Sequence, residues 1–480
     1  MFTFVLLFVF SLRIIVFLLS FNNCELYIEE ASKNFHKQQL TIQVVDVQLS
    51  KYNSYLIKFK IQNSKSKNLS FRHKQGILFI TREKYEKLIQ ESQVPSVEGL
   101  LLEANGNFKP LPSISNPGGT SKKISYMSGN SLGVFESETN SYFLKSENSI
   151  RINSMKFRML HFWILTKTKI RDSITKQIDT LFYGNGRGLV SAMLLGIKDN
   201  ISEELSNLLK IHGVSHIIAI SGLHIGMLFL LIDNALKLFV HKNGQRFYAV
   251  LLLLLLYNLL IGQNVSAIRA SFMVIIFSYA MTYGYPYSKT KSVYLSFITY
   301  LIFYPYAIFK CGFLLSYGAV CGLFYIYPPL KEFVLYLRYL KSDRSSYHYS
   351  ILFAVVDLGL ISVSVNIATL PILIYFFKGV SATSVIGNIL IVPVVMAFYV
   401  LSIFSIIISY ALPLIGKLIA STVMMISGYM ESMTKVLNML PVTFTYLKVP
   451  SFVTIAIYYC LLYIIISKLK GFCFAKEING

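Results

Sequence analysis

Residues 211–226 read Ile-His-Gly-Val-Ser-His-Ile-Ile-Ala-Ile-Ser-Gly-Leu-His-Ile-Gly and open a run that is otherwise apolar to Val240. The bilayer interior penalises the histidines and serines of this stretch, so we expect them to face protein or water. On a continuous helix, His212, His216 and His224 would fall on one face at multiples of four residues. The stretch therefore predicts a membrane-spanning helix with one polar stripe.

The composition of the chain is that of a membrane protein. Of its 480 residues, 54% are hydrophobic and 14% are charged, and the mean hydropathy is +0.56. A soluble globular protein of this length would be less apolar, so the sequence predicts a polytopic α-helical membrane protein. The net charge of +22 is not carried by a long basic run, which assigns it to loops and to one polar domain. The five cysteines form neither a CxxC pair nor a metal-binding spacing, so a disulfide framework is not expected.

The N-terminal region divides into an apolar segment and a polar domain. Residues 1–21 form an aromatic-rich apolar run, broken by Arg13, and are interpreted as a transmembrane anchor. A cleaved signal peptide is the alternative, although the residues before Glu25 lack a small-residue cleavage pattern. Residues 22–150 alternate apolar and polar positions and are interpreted as a small all-β domain.

Five strands are predicted in this β domain. They cover residues 40–47, 55–61, 76–81, 97–103 and 142–144. Five short strands separated by turn residues are typical of a small barrel or sandwich. Asn116-Pro117-Gly118-Gly119 is a turn signal between them, because proline fixes φ and glycine accepts a positive φ.

Residues 151–213 mix charge with short apolar runs. Two amphipathic helices are predicted at the membrane surface, at 156–179 and 203–211, around a buried or re-entrant piece at 189–197 that is too short to span a bilayer. The segment also contains Tyr-Gly-Asn-Gly-Arg-Gly at 183–188, which is similar in composition to a phosphate-binding loop. Because the chain contains no Gly-Lys-Ser or Gly-Lys-Thr, Walker-type ATP hydrolysis is not expected.

Nine membrane spans are predicted within residues 214–467, the transmembrane domain. They are placed at 214–236, 247–262, 265–284, 293–309, 313–328, 351–376, 384–411, 418–436 and 451–467. Basic connections, such as those around Lys242, Lys289 and Lys341, alternate with connections that carry at most one charge. By the positive-inside rule the basic loops are cytoplasmic, which puts the β domain outside and the tail 468–480 in the cytoplasm.

Polar residues recur inside the predicted spans. Ser266, Arg269 and Ser271 open one span, Ser316 lies in another, Ser362, Asn366 and Thr369 form a stripe on a third, and Gly387-Asn388 and Pro393 interrupt a fourth. Such residues commonly hydrogen-bond between helices, but their recurrence favours a hydrated or gated interior. Arg269 must snorkel outward, pair with a distant acid such as Asp357 or Asp233, or face water. The histidines are candidates for phosphate contacts, proton transfer or metal ligation, with structural hydrogen bonding as the alternative.

The stretch at 216–226, His-Ile-Ile-Ala-Ile-Ser-Gly-Leu-His-Ile-Gly, resembles the signature of the ComEC/Rec2 competence proteins. Members of that family form the inner-membrane channel for single-stranded DNA during bacterial transformation. Further landmarks stand in the family's order: Leu194-Leu195-Gly196, Ser266-Ala-Ile-Arg269-Ala270, Gly312-Phe-Leu-Leu-Ser316-Tyr317, Thr369-Leu-Pro371, and Asn388 with Pro393. The resemblance covers nearly the whole chain, but Tyr304-Pro305 stands where the family commonly has Asp-Pro, and Thr120 where an aromatic residue is usual.

The resemblance implies a DNA channel with an OB-like extracytoplasmic domain. The residues expected to line or gate the channel are His216, Ser221, Gly222, His224, Ser266, Arg269, Ser316, Asn366 and Asn388. The candidates for DNA binding on the β domain are Lys58, Lys60, Phe71, Arg72, Phe79 and Arg82, with a solvated strand face as the alternative. No catalytic residue, cofactor or metal ion is expected.

Single-stranded DNA and membrane lipids are the expected partners. Without an ATP motif, the driving force must come from the proton gradient or from a partner, so we expect a cytoplasmic motor or ssDNA-binding proteins and a separate DNA receptor. Many members of the family carry a C-terminal β-lactamase-like domain with an HxHxDH motif. This chain has no such motif and is expected to be a short member without a nuclease of its own. The pore lies in one protomer or between the copies of a homo-oligomer.

Two other functions are compatible with the same residues. A transporter of another anionic polymer or solute would use the same positive interior. An intramembrane hydrolase would use Ser221 as a nucleophile with a histidine as its base. The spacing disfavours it, because His224 lies only three residues from Ser221 on the same helix, which restricts a productive approach.

Overall fold

The computed structural model describes residues 38–50, 54–64, 75–81, 101–109, 131–144, 155–262, 264–286, 288–340, 348–440 and 444–477. The predicted anchor at 1–21 and the turn at 116–119 lie outside these residues. The chain divides into two compact units. One holds the N-terminal strands together with Tyr300–Lys310, and the other holds Ile170–Thr299 and the chain from Cys311 onwards.

Five strands close into a barrel in the first unit. They are β1 (Gln38–Ser50), β2 (Ser54–Ser64), β3 (Gln75–Thr81), β4 (Leu101–Lys109) and β5 (Ser131–Leu144). The order around the barrel is β1-β2-β3-β5-β4, with β1 antiparallel to both β2 and β4, and β3 parallel to β5. Val44, Ile57, Leu78 and Ile80 are buried and contribute the apolar core of these strands.

Each predicted strand overlaps one of these five, but two boundaries differ. β4 begins at Leu101 and continues through Asn105 and Asn107, and β5 begins at Ser131 rather than near residue 142. Polar residues obscure the alternation in both strands, and β4 also contains a register shift next to Gly106. Pairing with neighbouring strands therefore extends both elements beyond what local propensity indicates.

The helices follow the barrel along the chain. They are α1 (Met155–Leu181), α2 (Gly184–Leu195), α3 (Glu203–Ile211), α4 (Gly222–Lys237), α5 (Asn243–Ile261), α6 (Val265–Tyr283), α7 (Lys289–Phe303), α8 (Cys311–Cys321), α9 (Tyr327–Leu340), α10 (His348–Phe377), α11 (Ser384–Ala411), α12 (Pro413–Asn438) and α13 (Phe452–Glu477). A π turn at Gly322–Ile326 joins α8 to α9. Two short strands, β6 (Gly379–Ser381) and β7 (Phe444–Tyr446), pair antiparallel.

Seven helical segments of the described chain are long and apolar enough to cross a membrane. They are Asn243–Ile261, Ser266–Tyr283, Cys311–Leu335, Phe353–Phe377, Ser384–Ala411, Pro413–Asn438 and Phe452–Leu469. Each of them coincides with a predicted span. The other two predicted spans correspond to shorter helices, α4 with 16 residues and α7 with 15 residues. The chain is a polytopic helical membrane protein.

The prediction of one continuous helix from residue 214, with the histidines on one face, is wrong. α3 ends at Ile211, and Gly213 follows in the left-handed region with φ +69°. The backbone then forms a 3-10 turn at Ser215–Ile217, and α4 begins only after Ser221. Glycine is needed at 213 because a side chain is strained at this φ, and because a Cβ there would lie 2.6 Å from the Cβ of Ser384.

Two further span boundaries differ from the prediction. α7 ends at Phe303 because Pro305 follows, and the residue before a proline is disfavoured in the α conformation. Tyr304 accordingly has φ −131° and ψ 69°. After Cys311 the helix continues through the π turn as far as Leu340, so Lys331 lies on a helix and not in the predicted basic loop.

The predicted interruption of the span after Ser384 is also wrong. α11 runs without a break from Ser384 to Ala411 and contains Gly387, Asn388 and Pro393. Proline is tolerated inside transmembrane helices because neighbouring helices and small local adjustments satisfy the backbone groups that it frees. These residues therefore do not mark a break at which α11 could line a cavity.

The apolar core of the second unit lies where α2, α11 and α12 meet. It includes Leu189 of α2, Phe398 of α11 and Val423 of α12. The glycine-rich run at 183–188 forms the start of α2, and a Cβ on its Gly186 would lie 2.5 Å from the sulfur of Met424. The glycine thus allows α2 to approach α12 closely, which is a packing role.

Candidate functional site

The Ser-Gly-Leu-His part of the central stretch forms the first turn of α4. The backbone N–H of His224 donates to the hydroxyl oxygen of Ser221 at 3.5 Å, and the backbone N–H of Ser221 donates to Nδ1 of His224 at 3.1 Å. This reciprocal arrangement is a capping box in which histidine takes the place of the usual glutamate or glutamine. It satisfies N–H groups that would otherwise lack partners at the helix start.

The three histidines of the stretch lie in three different surroundings. His224 is buried, and its ring lies 4.8 Å from the ring of Tyr399 on α11. His216 lies in the 3-10 turn before α4 and is exposed. His212 is fully buried before Gly213, and its Nδ1 lies 2.9 Å from the hydroxyl of Thr383. Burial lowers the pKa of the His212 imidazole, because a charged ring would lose its hydration there.

Arg269 is buried one turn into α6, with 1% of its surface exposed. Its Nη1 donates to the carbonyl oxygen of Phe313 at 2.8 Å, and its Nη2 donates to the carbonyl oxygen of Gly312 at 3.0 Å and to the hydroxyl of Ser266 at 3.1 Å. The guanidinium carbon also lies 4.9 Å from the ring centre of Tyr317. Carbonyl dipoles and an aromatic face stabilise the charge here, so two of the predicted alternatives, snorkelling and facing water, are wrong.

The two acids suggested as partners of Arg269 lie in other ion pairs. Asp233 at the end of α4 binds Arg246 at 3.0 Å and Lys237 at 2.9 Å. Asp357 on α10 accepts a 2.6 Å hydrogen bond from the hydroxyl of Tyr327, and it binds Lys331 on α9 at 3.0 Å. Both acids therefore join neighbouring helices at other places in the second unit.

The starts of α4 and α6 meet in the second unit. A Cβ on Gly222 would lie 3.7 Å from the Cβ of Ala270, and both helix starts contribute to one small buried cluster. Because α5 runs back between them, α4 and α6 begin at the same end of this helix triplet. Each helix N-terminus carries about half a positive charge, and Arg269 adds a whole one nearby. This end of the triplet therefore has a positive potential.

The polar residues on α10 and α11 bind one another. The side-chain amide of Asn388 donates to the hydroxyl of Ser362 at 2.8 Å, and that of Asn366 donates to the hydroxyl of Ser384 at 2.9 Å. The hydroxyl of Thr369 donates to the carbonyl of Val365 within its own helix. Ser362 and Asn366 of the predicted polar stripe thus join two helices by hydrogen bonds, the usual role of such residues in spans, whereas Thr369 bonds within α10.

Eight of the nine predicted channel residues fall into two groups, and the ninth, His216, lies exposed in the 3-10 turn before α4. The first group lies where α4, α6 and α8 pack, and it contains Ser221, Gly222, His224, Ser266 and Arg269, with the partly buried Ser316 on α8 beside the aromatic partners of Arg269. The second group is Asn366 and Asn388, which belong to the seam of hydrogen bonds between α10 and α11. The contact of His224 with Tyr399 connects the first group to α11.

The predicted DNA-binding residues are described only in part. Lys58 and Lys60 lie on β2, Lys58 directly after the buried Ile57, and Phe79 lies on β3 between the buried Leu78 and Ile80. Phe71, Arg72 and Arg82 lie outside the described residues. Their role in DNA binding stays a prediction.

Several residues of the site were missed by the sequence analysis. Phe313 and Tyr317 are four residues apart on α8, a spacing that places both rings on one helical face next to Arg269, and it could have indicated them. Tyr399 and Thr383 have no comparable signal, because each lies far along the chain from the histidine that it contacts. Within the described ranges, no three His, Cys, Asp or Glu side chains are grouped so as to hold a metal ion.

Comparisons with known proteins identify the family of this chain. A family model described as competence protein matches residues 193–471, more than half of the chain. ComE operon protein 3 of Bacillus subtilis (strain 168) is 29% identical over 227 residues, which cover 47% of this chain and 26% of that protein. The match thus spans about a quarter of the relative's own length. No solved structure matches the chain. With α2 to α13 within or overlapping the matched region, this chain belongs to the competence protein family.

Proposed function

We propose that this protein moves single-stranded DNA across the bacterial inner membrane during natural transformation. The observation that carries the proposal is membership of the competence family over the polytopic region, residues 193–471. The name of the relative, ComE operon protein 3, points to the same process. A single strand carries one negative charge per nucleotide, so its path through the membrane needs positive potential without a strong trap.

The end of the bundle where α4 and α6 begin supports an anionic cargo. Two helix N-termini meet there beside the buried charge of Arg269. The N–H groups of the arginine donate to backbone carbonyls, so they are not free to bind a phosphate directly. The positive charge of the side chain still contributes to the potential at this end of the bundle. Such an arrangement attracts phosphates without binding them tightly. Exposed His216 lies between this end and α3 and is the residue we propose to meet the strand.

The β-barrel is proposed to be an OB-like domain on the outer side of the membrane. A five-stranded closed barrel in the order β1-β2-β3-β5-β4 is typical of OB folds, which bind single strands on one face. Lys58, Lys60 and Phe79 on β2 and β3 are the proposed contacts, together with Phe71, Arg72 and Arg82. The alternation of basic loops supports the outer location.

The proposal includes partners, since translocation needs a driving force. We propose a separate receptor that delivers the strand, and a cytoplasmic motor, ssDNA-binding proteins or the proton gradient that draws it inward. Measuring the stoichiometry of the active protein in nanodiscs decides whether one protomer or two form the path.

The experiment is uptake of end-labelled DNA in cells that lack the gene and are complemented with wild-type protein or variants. We expect single-stranded label inside cells only with wild-type protein, and a strong reduction with His216→Ala. Ser215→Ala, an exposed neighbour, is the matched control and should support normal uptake. Equal uptake in cells without the gene would overturn the proposed function. Normal uptake by His216→Ala alone would remove only that residue from the path.

A hydrolase is the second candidate, because Ser221 Oγ lies 3.2 Å from Nδ1 of His224. This distance is within reach for activation of a serine by a histidine. However, the same Nδ1 already accepts the backbone N–H of Ser221, as the capping box requires. Labelling of the wild-type protein by a serine-reactive phosphonate, lost in Ser221→Ala, would favour the hydrolase over the channel.

A further inference from the structure

Five aromatic rings from two helices and a loop contact one another at the other end of the α4, α5 and α6 triplet. This tyrosine cluster consists of Phe247 and Tyr248 on α5, Tyr279 and Tyr283 on α6, and Tyr285 after α6. Phe247 is buried at the centre, with its ring 5.7 Å from that of Tyr279 and 6.1 Å from that of Tyr283. The cluster is therefore an organised surface built around one core residue.

The outer rings of the tyrosine cluster are open to the surroundings. Tyr248 is 62% exposed and Tyr285 is 57% exposed. The ring of Tyr285 stacks on that of Tyr279, with centroids 5.6 Å apart and planes within 11° of parallel. Tyr285 therefore stays more than half exposed although its ring stacks on that of Tyr279. A planar group could extend this stack.

Basic residues flank the tyrosine cluster in sequence. From Gly222 to Lys291, leaving aside Arg269 at the opposite end, the sequence contains five lysines and arginines and a single acid, Asp233. Asp233 is shared by Lys237 and Arg246, so those three residues carry one net positive charge. Lys242 before α5 and Lys291 on α7 are exposed and add to it. The surface thus combines open rings with cations, the combination that binds the bases and phosphates of single strands.

We propose that the tyrosine cluster and the lysines beside it form a stacking site for single-stranded nucleic acid, on which bases rest as the strand leaves the helices. The proposal rests on the proposed function for its cargo, and it adds a second contact at the opposite end from Arg269. Stacking suits a moving strand because every base has a π face, so the site holds any sequence without fixing a register.

A membrane-interface belt is the other use of exposed tyrosines near helix ends. A belt tyrosine needs only lipid headgroups around it and no second ring. Here Tyr279 contacts three other rings, and Tyr285 stacks on it from a loop. The stacking of the rings and the excess of cations favour a polyanion with flat bases over lipid. Lipid binding is the alternative outcome of the test.

The test uses the full chain in nanodiscs of uncharged phosphatidylcholine, with fluorescent oligo(dT) as the probe. Tyr285→Ala is the first variant, because Tyr285 lies beyond the end of α6 and its loss leaves the helix intact. We expect the Kd to rise about 5- to 150-fold on loss of one stacking ring. Tyr279→Phe keeps the ring and should bind like wild-type protein. Tyr463→Ala on α13, another exposed tyrosine, is the matched control and should also bind normally.

A second readout locates the contact directly. An oligonucleotide that carries 5-iodouracil should photocrosslink to peptides containing residues 279–285 or 247–248. Unchanged binding by Tyr285→Ala together with crosslinks to other segments would overturn the site. The site would also be overturned if Tyr285→Ala bound oligo(dT) normally and differed from wild type only in its response to phosphatidylglycerol added to the nanodiscs. That outcome would assign the cluster to lipid.

The failure of this site and the failure of the proposed function are distinguishable. If wild-type protein restores DNA uptake in cells and Tyr285→Ala restores it equally well with unchanged oligonucleotide binding, the site is overturned and the function stands. If wild-type protein gives no uptake, the function fails, while the crosslinks on purified protein still decide whether the cluster binds single strands.

Discussion

The guanidinium of Arg269 on α6 donates a 2.8 Å hydrogen bond to the backbone carbonyl oxygen of Phe313 on α8. A second carbonyl, that of Gly312, accepts from the other terminal nitrogen. Each carbonyl oxygen has two lone pairs, so these groups accept from the arginine while they also serve the helix. One charged side chain thereby joins α6 to backbone groups of α8 that are more than forty residues away in sequence.

The first prediction concerns this connection. Arg269→Ala should lower the free energy of unfolding by about 3 kcal/mol, since hydrogen bonds from a charged donor are worth about 1.5–3 kcal/mol each and do not add fully. Arg269→Lys should recover less than half of the loss, because an ammonium group lacks the planar fork that reaches two carbonyls. Thermal or denaturant unfolding in nanodiscs measures both values.

Arg246→Ala is the matched control for this prediction. Arg246 pairs with Asp233 in a partly exposed ion pair, where removal should cost at most about 1 kcal/mol. If the Arg269→Lys protein were as stable as the wild-type protein, the interpretation would be contradicted. The positive charge alone would then be sufficient to connect α6 and α8.

The second prediction concerns the seam between α10 and α11. A double-mutant cycle of Asn388→Ala and Ser362→Ala should give a coupling energy of about 0.6 kcal/mol, and at most about 1.7 kcal/mol, as for other hydrogen bonds between membrane helices. The reason is the 2.8 Å hydrogen bond between the two side chains. Unfolding of the four proteins in nanodiscs measures the coupling.

Ser421→Ala supplies the control cycle, because the hydroxyl of Ser421 donates within its own helix on the exposed face of α12. No coupling is expected between Ser421 and Asn388. If the Asn388 and Ser362 pair also shows no coupling, and a cysteine at 388 reacts rapidly with a water-soluble thiol reagent, the seam would be a water-facing wall instead of a joint between helices.

The membrane-spanning segments could be predicted from the sequence because their signal is local. An apolar run of sufficient length is visible without knowledge of any partner, and seven such runs are found as helices. The predicted start of α4, at residue 214, is too early because the spacing of the histidines favours a helix that already includes His216. The positive φ of Gly213 and the cap at Ser221 depend on what packs around them, here Ser384 and the ring of His224.

The partners of Arg269 could not be predicted, for a different physical reason. Sequence reasoning looks for an opposite charge, and Asp233 and Asp357 were the available acids. The structure instead stabilises the guanidinium with carbonyl dipoles and with the face of Tyr317, neither of which has a charge signature in sequence. Backbone acceptors exist at every position, so only the packing of α6 on α8 selects those at 312 and 313.

The third prediction concerns Gly213. Gly213→Ala should destabilise the protein by about 1–3 kcal/mol, because a residue with a Cβ is strained at φ +69° and because the new methyl group would approach Ser384. The loss should appear as a lower Tm in nanodiscs.

Gly226→Ala on α4 is the matched control for Gly213. A Cβ at Gly226 meets open space, and alanine in a helix is favoured over glycine by roughly 0.5–1 kcal/mol. The control should therefore raise the Tm slightly. Equal Tm values for the two variants would contradict the turn between α3 and α4.

The fourth prediction concerns His212 and pH. Burial lowers the pKa of this imidazole below its ordinary 6.5 in the folded protein. As the pH falls below about 6.5, the unfolded chain takes up a proton at this position while the folded protein does not, so the free energy of unfolding decreases. The decrease is at most about 1.4 kcal/mol per pH unit for one group, and it ends once the pH passes the folded pKa. Above pH 6.5 the contribution is complete and constant.

His212→Asn isolates the contribution of His212, because the amide does not titrate yet can still hydrogen-bond to Thr383. His216 and His224 are present in both proteins, so their titration cancels in the difference between wild type and variant. We expect the stability difference to be constant from about pH 8 to 6.5 and to move against the wild type at lower pH, as measured by unfolding in nanodiscs. A difference independent of pH down to about 5 would mean that the folded protein protonates His212 as readily as the unfolded chain does. The 2.9 Å contact with Thr383 would then hold an imidazolium, and the junction between α3 and α11 would be hydrated.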